Sequence, residues 1–283
     1  MRSLNDQRPD EPLEADAAPL EPTSPMETST SGPREVTPTP WTFRQMVVGA
    51  LWTLVPWMTF SLGATALFGS TAATTTAKPP SVAIDAISGV VTFIISALLE
   101  AIFLIAPVLV VFSRRLPHAP FRERMRWLGF KATPLAPAVV IVVVGLAIGL
   151  GGSLLYSQIV SYFHLPLTTN SETLLREGRT APLTTIGILA AAALVAPFCE
   201  EVFFRGFIFV GLLKRMPLWP SVVLSAAIFG VAHADVGSLI PLFIIGLALA
   251  WARWRSDSIW PGMVIHAANN TAAALFLLPY LLK

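Results

Sequence analysis

The chain has one cysteine, Cys199, and few charges. A lone thiol excludes an intramolecular disulfide and a multi-cysteine metal site. Charged residues fill 13% of the 283 positions, against about 25% in an ordinary soluble domain. The net charge of +2 says little about partners, and no nucleic-acid partner is expected. The first forty residues lack any long apolar run, so no N-terminal signal peptide is read there. They hold eight prolines and many acids. Such a composition cannot bury a core, so residues 1–42 are expected to form a disordered, Pro-rich polar tail.

Elsewhere apolar residues dominate. They make up 54% of the chain, and the mean hydropathy is +0.67. They gather in runs over 46–68, 86–112, 135–163, 183–213, 219–234, 238–254 and 259–282. About 20 helical residues cross the roughly 30 Å hydrocarbon core of a bilayer. Inside lipid a span must satisfy its own backbone hydrogen bonds, and these runs are too long for barrel strands. The expected fold is all-α, a polytopic membrane helical bundle of about seven transmembrane helices. Eight is the alternative, because the fourth run is long enough to be tilted or broken. Residues 43–180 would hold the N-terminal membrane helices.

Basic residues alternate between loops. Arg114, Arg115, Arg122, Arg124, Arg126 and Lys131 follow the second run, Lys214 and Arg215 the fourth, and Arg253 and Arg255 the sixth. The positive-inside rule then puts these loops and the N-terminus in the cytoplasm. A short chain of this kind suits a prokaryotic plasma membrane. In the third run Gly145 and Gly149 form a small-x-x-x-small pattern, which indicates helix packing.

Ionisable residues inside a span cost roughly 2.5–3.5 kcal/mol on insertion scales, so those that occur mark function by default. Here they are Glu100, Glu200, Glu201, Arg205, His233 and His266, with Asn269 and Asn270 beside the last. On a helix Glu201 and Arg205 share a face and can pair. Glu200 is turned about 100° away and lacks that arginine, so the two carboxylates should differ in environment. A buried ion pair that only fixes packing would explain Glu201 and Arg205 but not Glu200. His233 alone would more often be a core or helix-end residue. His266 and Asn270 share a face and could equally form a packing hydrogen bond. Rise along the helices puts Glu200 and His233 each about 20 Å from the basic ends, but His266 only about 10 Å and Asn270 about 16 Å.

A carboxylate with two imidazoles can activate water. In one version Glu200, helped by His233, is the general base, and His266 and Asn270 hold the oxyanion. In the other, Glu200, His233 and His266 bind a divalent metal such as Zn²⁺, which supplies hydroxide. The H-E-x-x-H zinc signature is absent. Either version hydrolyses a carbonyl substrate, most simply a peptide bond.

The order E-E-x-x-x-R (Glu200, Glu201, Arg205), F-x-x-x-H (Phe229, His233), H-x-x-x-N (His266, Asn270) resembles the CPBP (Abi) family. This is the group of the type II CAAX prenyl endopeptidases and bacteriocin-processing proteins. The resemblance covers about a third of the chain and makes residues 181–283 a CPBP-like catalytic membrane domain. It implies an intramembrane endopeptidase, glutamate- or metal-dependent, whose catalytic set is Glu200, Glu201, Arg205, His233, His266 and Asn270. The partners would be the lipid bilayer and a membrane-anchored peptide or protein substrate. Three rivals stand beside it. A non-proteolytic immunity or scaffold protein on the same fold would be marked by a lost motif residue, and none is lost. A transporter would usually show internal repeats or broken helices, and no repeat is found. A cysteine peptidase built on Cys199 is disfavoured, because a free buried cysteine usually behaves as a small hydrophobe.

Overall fold

A computed structural model of the chain describes residues 36–68, 79–116, 118–167, 169, 174–175 and 178–282. Residues 1–35 of the expected tail lie outside them. The secondary structure described is helical: α1 (Phe43–Phe68), α2 (Val82–Glu100), a 3₁₀ turn (Ala101–Leu104), α3 (Ile105–Val111), α4 (Phe121–Trp127) and α5 (Leu135–Tyr162), then α6 (Pro182–Leu194), α7 (Ala196–Glu200), a π-helical stretch (Glu201–Phe209), α8 (Val210–Leu212), α9 (Leu218–Ala232), α10 (Leu239–Ser256) and α11 (Trp260–Leu281). Six of the resulting spans among the described residues are long and apolar enough to cross a membrane. Outward-facing Trp52, Leu98 and Leu154 suit lipid rather than water. The fold is that of an integral membrane helical bundle.

Each of the seven apolar runs is helical, but the fifth falls short. At 15 residues, α9 spans about 22 Å, less than the hydrocarbon core. It ends where it does because Ala234 takes a left-handed φ of 52°. The Trp57 indole of α1 donates to the Ala232 carbonyl at 3.0 Å and fixes that end. The fourth run is broken, as its length suggested. The break falls at Val195, just before Pro197, whose ring cannot continue the hydrogen-bond ladder.

The basic segments gather at one end of the bundle. Lys131 and Arg253 both pair with Asp257. Thr37 donates to the same carboxylate, and Lys214 donates to the carbonyls of Thr39 and Trp41. Burial alone would raise the Asp257 carboxyl, but the hydrogen bonds from Arg253, Lys131 and Thr37 outweigh it and hold the group below the ordinary carboxylate range. Residues 36–42 therefore depart from the expected tail. Trp41 is fully buried against Phe207. One aromatic anchor and two threonines hold a segment whose composition reads as polar linker.

At the opposite end, the Asp85 carboxylate accepts from the Leu183 and Thr184 amides and from the Thr184 hydroxyl. It caps α6 and aligns it parallel to α2. One turn further on, the helices touch backbone to backbone. A Cβ on Gly89 would collide with the Leu183 carbonyl, and one on Gly187 with the Gly89 carbonyl. Gly145 and Gly149 do serve packing, but they admit the Ile265 and Ile245 side chains rather than another backbone.

Candidate active site

The polar residues flagged in four separate segments converge. Glu200 ends α7, Glu201 opens the π stretch, His233 caps α9 and His266 lies one and a half turns into α11. The Glu200 Oε2 stands 3.9 Å from the Nε2 atoms of both His233 and His266. Glu201 pairs with Arg205 at 2.9 Å and lies 3.4 Å from the Nδ1 of His266. His266 thus sits between the two carboxylates, a link that sequence spacing did not reveal.

Both glutamates are buried where the α-helix gives way to the π stretch. An i→i+5 turn is wider than an α turn and commonly marks functional sites. It also sets more residues in each turn, which shortens the rise from the basic end to Glu200 and narrows the expected depth mismatch with His266. The stretch is buried throughout. Arg205 lies 4.3 Å from the centre of the Phe229 ring and donates to the Gly246 carbonyl at 3.3 Å. Phe229 also meets both imidazoles, His233 at 4.8 Å and His266 at 5.6 Å between ring centres. The aromatic half of the second motif is thus the wall that holds the arginine and the two histidines in register.

Hydrogen-bond logic fixes the tautomers in their neutral forms. His233 Nδ1 is 2.8 Å from the Phe229 carbonyl. A carbonyl can only accept, so the proton is on Nδ1 and the lone pair is on Nε2. His266 Nδ1 lies 3.4 Å from the Glu201 carboxylate without forming a hydrogen bond, and a proton placed there leaves the Nε2 lone pair toward Glu200. The Glu200 carboxylate oxygen therefore faces an imidazole nitrogen of each histidine, too far from either to bond it directly. Glu200 Oε2 is buried without a hydrogen-bond partner. The His233 side chain, 29% exposed, forms the open edge of an otherwise closed site.

A donor belongs between Glu200 and the imidazoles. A water about 2.8 Å from Glu200 Oε2 and from either imidazole nitrogen would see that 3.9 Å gap at an angle of about 90°. A zinc ion fits less well. Tetrahedral ligands about 2.05 Å from the metal stand about 3.3 Å apart, so the gaps would have to close by roughly half an ångström. Among the described residues no group of three His, Cys, Asp or Glu is spaced to hold a metal. The donors are of the right kind for zinc, but their spacing is not.

The remaining flagged residues divide. Asn270 lies one turn beyond His266 and donates to the Ala192 carbonyl of α6 at 2.8 Å, which ties α11 to the end of the broken fourth span. Asn269 lies near Gly149, with its Oδ1 buried and without a partner. Glu100, at the α2 break, is within electrostatic reach of Glu200, and its Oε2 is buried without a partner. Cys199 is buried. Sequence reading missed Asp85. Its signal was faint, one acid at the start of an apolar run beside Ser81, the N-cap of α2.

Comparison with known proteins agrees with the motif reading. Residues 182–272 match the family described as type II CAAX prenyl endopeptidase Rce1-like. A protein of Bacillus subtilis (strain 168), named "Putative membrane peptidase YdiL", is 28% identical over 109 residues, 38% of this chain and 43% of that protein. The chain therefore matches less than half the length of this curated relative. No solved structure matches. The resemblance to the CPBP proteases holds for the segment that carries all three motifs.

Proposed function

We propose that this protein is an intramembrane endopeptidase that hydrolyses a peptide bond of a membrane-associated substrate with water activated by Glu200. The approach of Glu200 to both His233 and His266 across water-sized gaps of 3.9 Å carries the reading. Water in that place donates its hydrogens to the Glu200 carboxylate and to an imidazole lone pair. Its own lone pair then faces the substrate carbonyl. Attack forms the C–O bond as Glu200 takes the proton. Collapse breaks the C–N bond, and the proton leaves with the amine. His233 and His266 orient the water and share the proton. Asn270 has one amide hydrogen left after its bond to Ala192, and that hydrogen is the proposed oxyanion donor. Glu201 and Arg205 hold the scaffold, and Glu201 keeps the His266 tautomer.

The basic end faces the cytoplasm in this proposal, by the positive-inside rule. An apolar groove of about 280 Å³ between α6 and α11, with Leu194 and Thr271 in its wall, adjoins Asn270. Such a groove suits an apolar anchor near the scissile bond, so the substrate class proposed is a lipid-anchored or transmembrane peptide.

The test is cleavage in liposomes of a pool of membrane-anchored peptides by the wild type, Glu200→Gln and His266→Ala, with and without a chelator. Loss of cleavage in both variants and indifference to the chelator are expected. Chelator sensitivity would overturn the glutamate–water mechanism. Full activity of Glu200→Gln would overturn the assignment of the site.

A further inference from the structure

A second cavity, of about 1140 Å³, opens at the basic end and shares no lining residue with the carboxylate site. Its wall includes Arg122, Arg126, Trp127 and Lys131, with Glu123 among them. Arg122 and Arg126 stand four residues apart, on one face of α4. Like charges at that spacing disfavour a helix. Neither forms an ion pair or side-chain hydrogen bond among the described residues. Arg124, between them, behaves differently. It turns inward and donates to the Val111 and Ala119 carbonyls. Together with buried Trp127 it bolts the short helix to the bundle and leaves its neighbours free at the cavity.

The surface below is apolar. Exposed Leu109 on α3 and Phe112 just past its end lead to exposed Phe121, which stacks on Phe112 at 5.9 Å between ring centres. α3 belongs to a membrane-crossing span, so this ridge runs from lipid depth up to the arginines. A soluble anion would need the charges and not the ridge. A lipid uses both, because its chains lie on the ridge and its phosphate reaches the guanidinium pair. Basic pockets at the interface next to transmembrane helices hold such headgroups, and guanidinium groups match phosphate oxygens in fork geometry.

We propose that Arg122, Arg126 and the α3–α4 apolar ridge form a binding site for one anionic phospholipid, with the phosphate between the two arginines and the acyl chains along Leu109, Phe112 and Phe121. The full chain is reconstituted in bilayers of equal parts phosphatidylcholine and phosphatidylglycerol and extracted in mild detergent. Retained lipid is then counted by native mass spectrometry. The wild type should keep phosphatidylglycerol over phosphatidylcholine. Arg122→Gln/Arg126→Gln should weaken that preference about thirtyfold, on the scale of two interfacial basic residues. Arg114→Gln/Arg115→Gln removes equal charge from the same loop outside the cavity and should keep it. A wild type without preference overturns the proposal, as does equal loss in both double variants. Two competitions on the wild type need no variant. Displacement of the lipid by inorganic phosphate would mark a soluble-anion site, and displacement by a soluble acidic peptide a peptide site. Either result overturns the lipid assignment.

Discussion

Arg205 and Glu201 are both fully buried, 2.9 Å apart. At an effective dielectric of about 20, their attraction is about 6 kcal/mol. Most of that offsets the cost of taking two charges out of water, so the pair adds little net stability. Breaking it is another matter. Arg205→Met leaves a carboxylate without its cation in the core, which costs about 3–5 kcal/mol. The variant also forfeits the contact with Phe229, worth about 1–2 kcal/mol at a desolvated site. Glu201→Gln/Arg205→Met removes both charges and should recover most of the loss. It should stay below wild type by about the Phe229 contact alone. The assay is thermal unfolding in detergent, followed by tryptophan fluorescence, with the four corners of a double-mutant cycle. At about 2–4 °C per kcal/mol for a chain of this size class, Arg205→Met should lower Tm by roughly 15 °C. The double variant should lower it by only a few degrees. A double variant as damaged as Arg205→Met, or an Arg205→Met that melts like wild type, would refute the view that the pair is scaffold.

Three further outcomes are expected. Glu200→Gln should lower cleavage by about 10²–10⁴-fold with a Tm near that of wild type, because the carboxylate it replaces has no ion-pair partner closer than 3.9 Å. Gly187→Ala should destabilise by about 1–3 kcal/mol by overpacking the α2–α6 contact, whereas Gly151→Ala, with open space around its Cβ, should be neutral or stabilising in the same melt. The lowered Asp257 carboxyl contributes stability that is present above the unfolded-chain value of about 3.9 and lost as pH falls through its lower folded value. Protection of residues 36–42 against hydrogen exchange, measured relative to the intrinsic rate at each pH, should therefore fall only below about pH 4 in the wild type, and be reduced at every pH in Asp257→Asn.

The helical nature and order of the apolar runs and the three motifs were legible in the sequence because each rests on local signals, whereas the count of spanning helices among the described residues is six rather than the expected seven. A run of apolar residues becomes a span wherever it sits, and i,i+4 pairs such as Glu201 and Arg205 meet on any helical turn. What stayed hidden depends on partners far along the chain. Gly89 and Gly187 lie in ordinary apolar stretches, and only their mutual approach reveals why neither carries a side chain. Asp85 matters because Thr184 is across from it. Trp41 belongs to the bundle because Phe207 receives it. The π stretch has no composition cue at all.

The sequence also suggested that one carboxylate would be held by an arginine and the other left free, and the geometry sharpens this into a division of labour. Glu201 has Arg205 on one side and the Nδ1 of His266 on the other, so its charge is spoken for. Glu200 has only lone pairs before it, and those cannot satisfy a carboxylate. A buried acceptor facing two other acceptors is costly unless a donor comes between them. The same arrangement that would destabilise a closed core therefore gives a hydrolase its affinity for the reacting water. In the proposed mechanism the exposed edge of His233 is where that water and the scissile carbonyl enter. A bulky substitution that closes this edge without touching Glu200, such as Ala234→Trp, should abolish cleavage of anchored peptides while the Glu201–Arg205 pair and the fold persist. Undiminished cleavage in that variant would place the entrance elsewhere, on the α6–α11 groove.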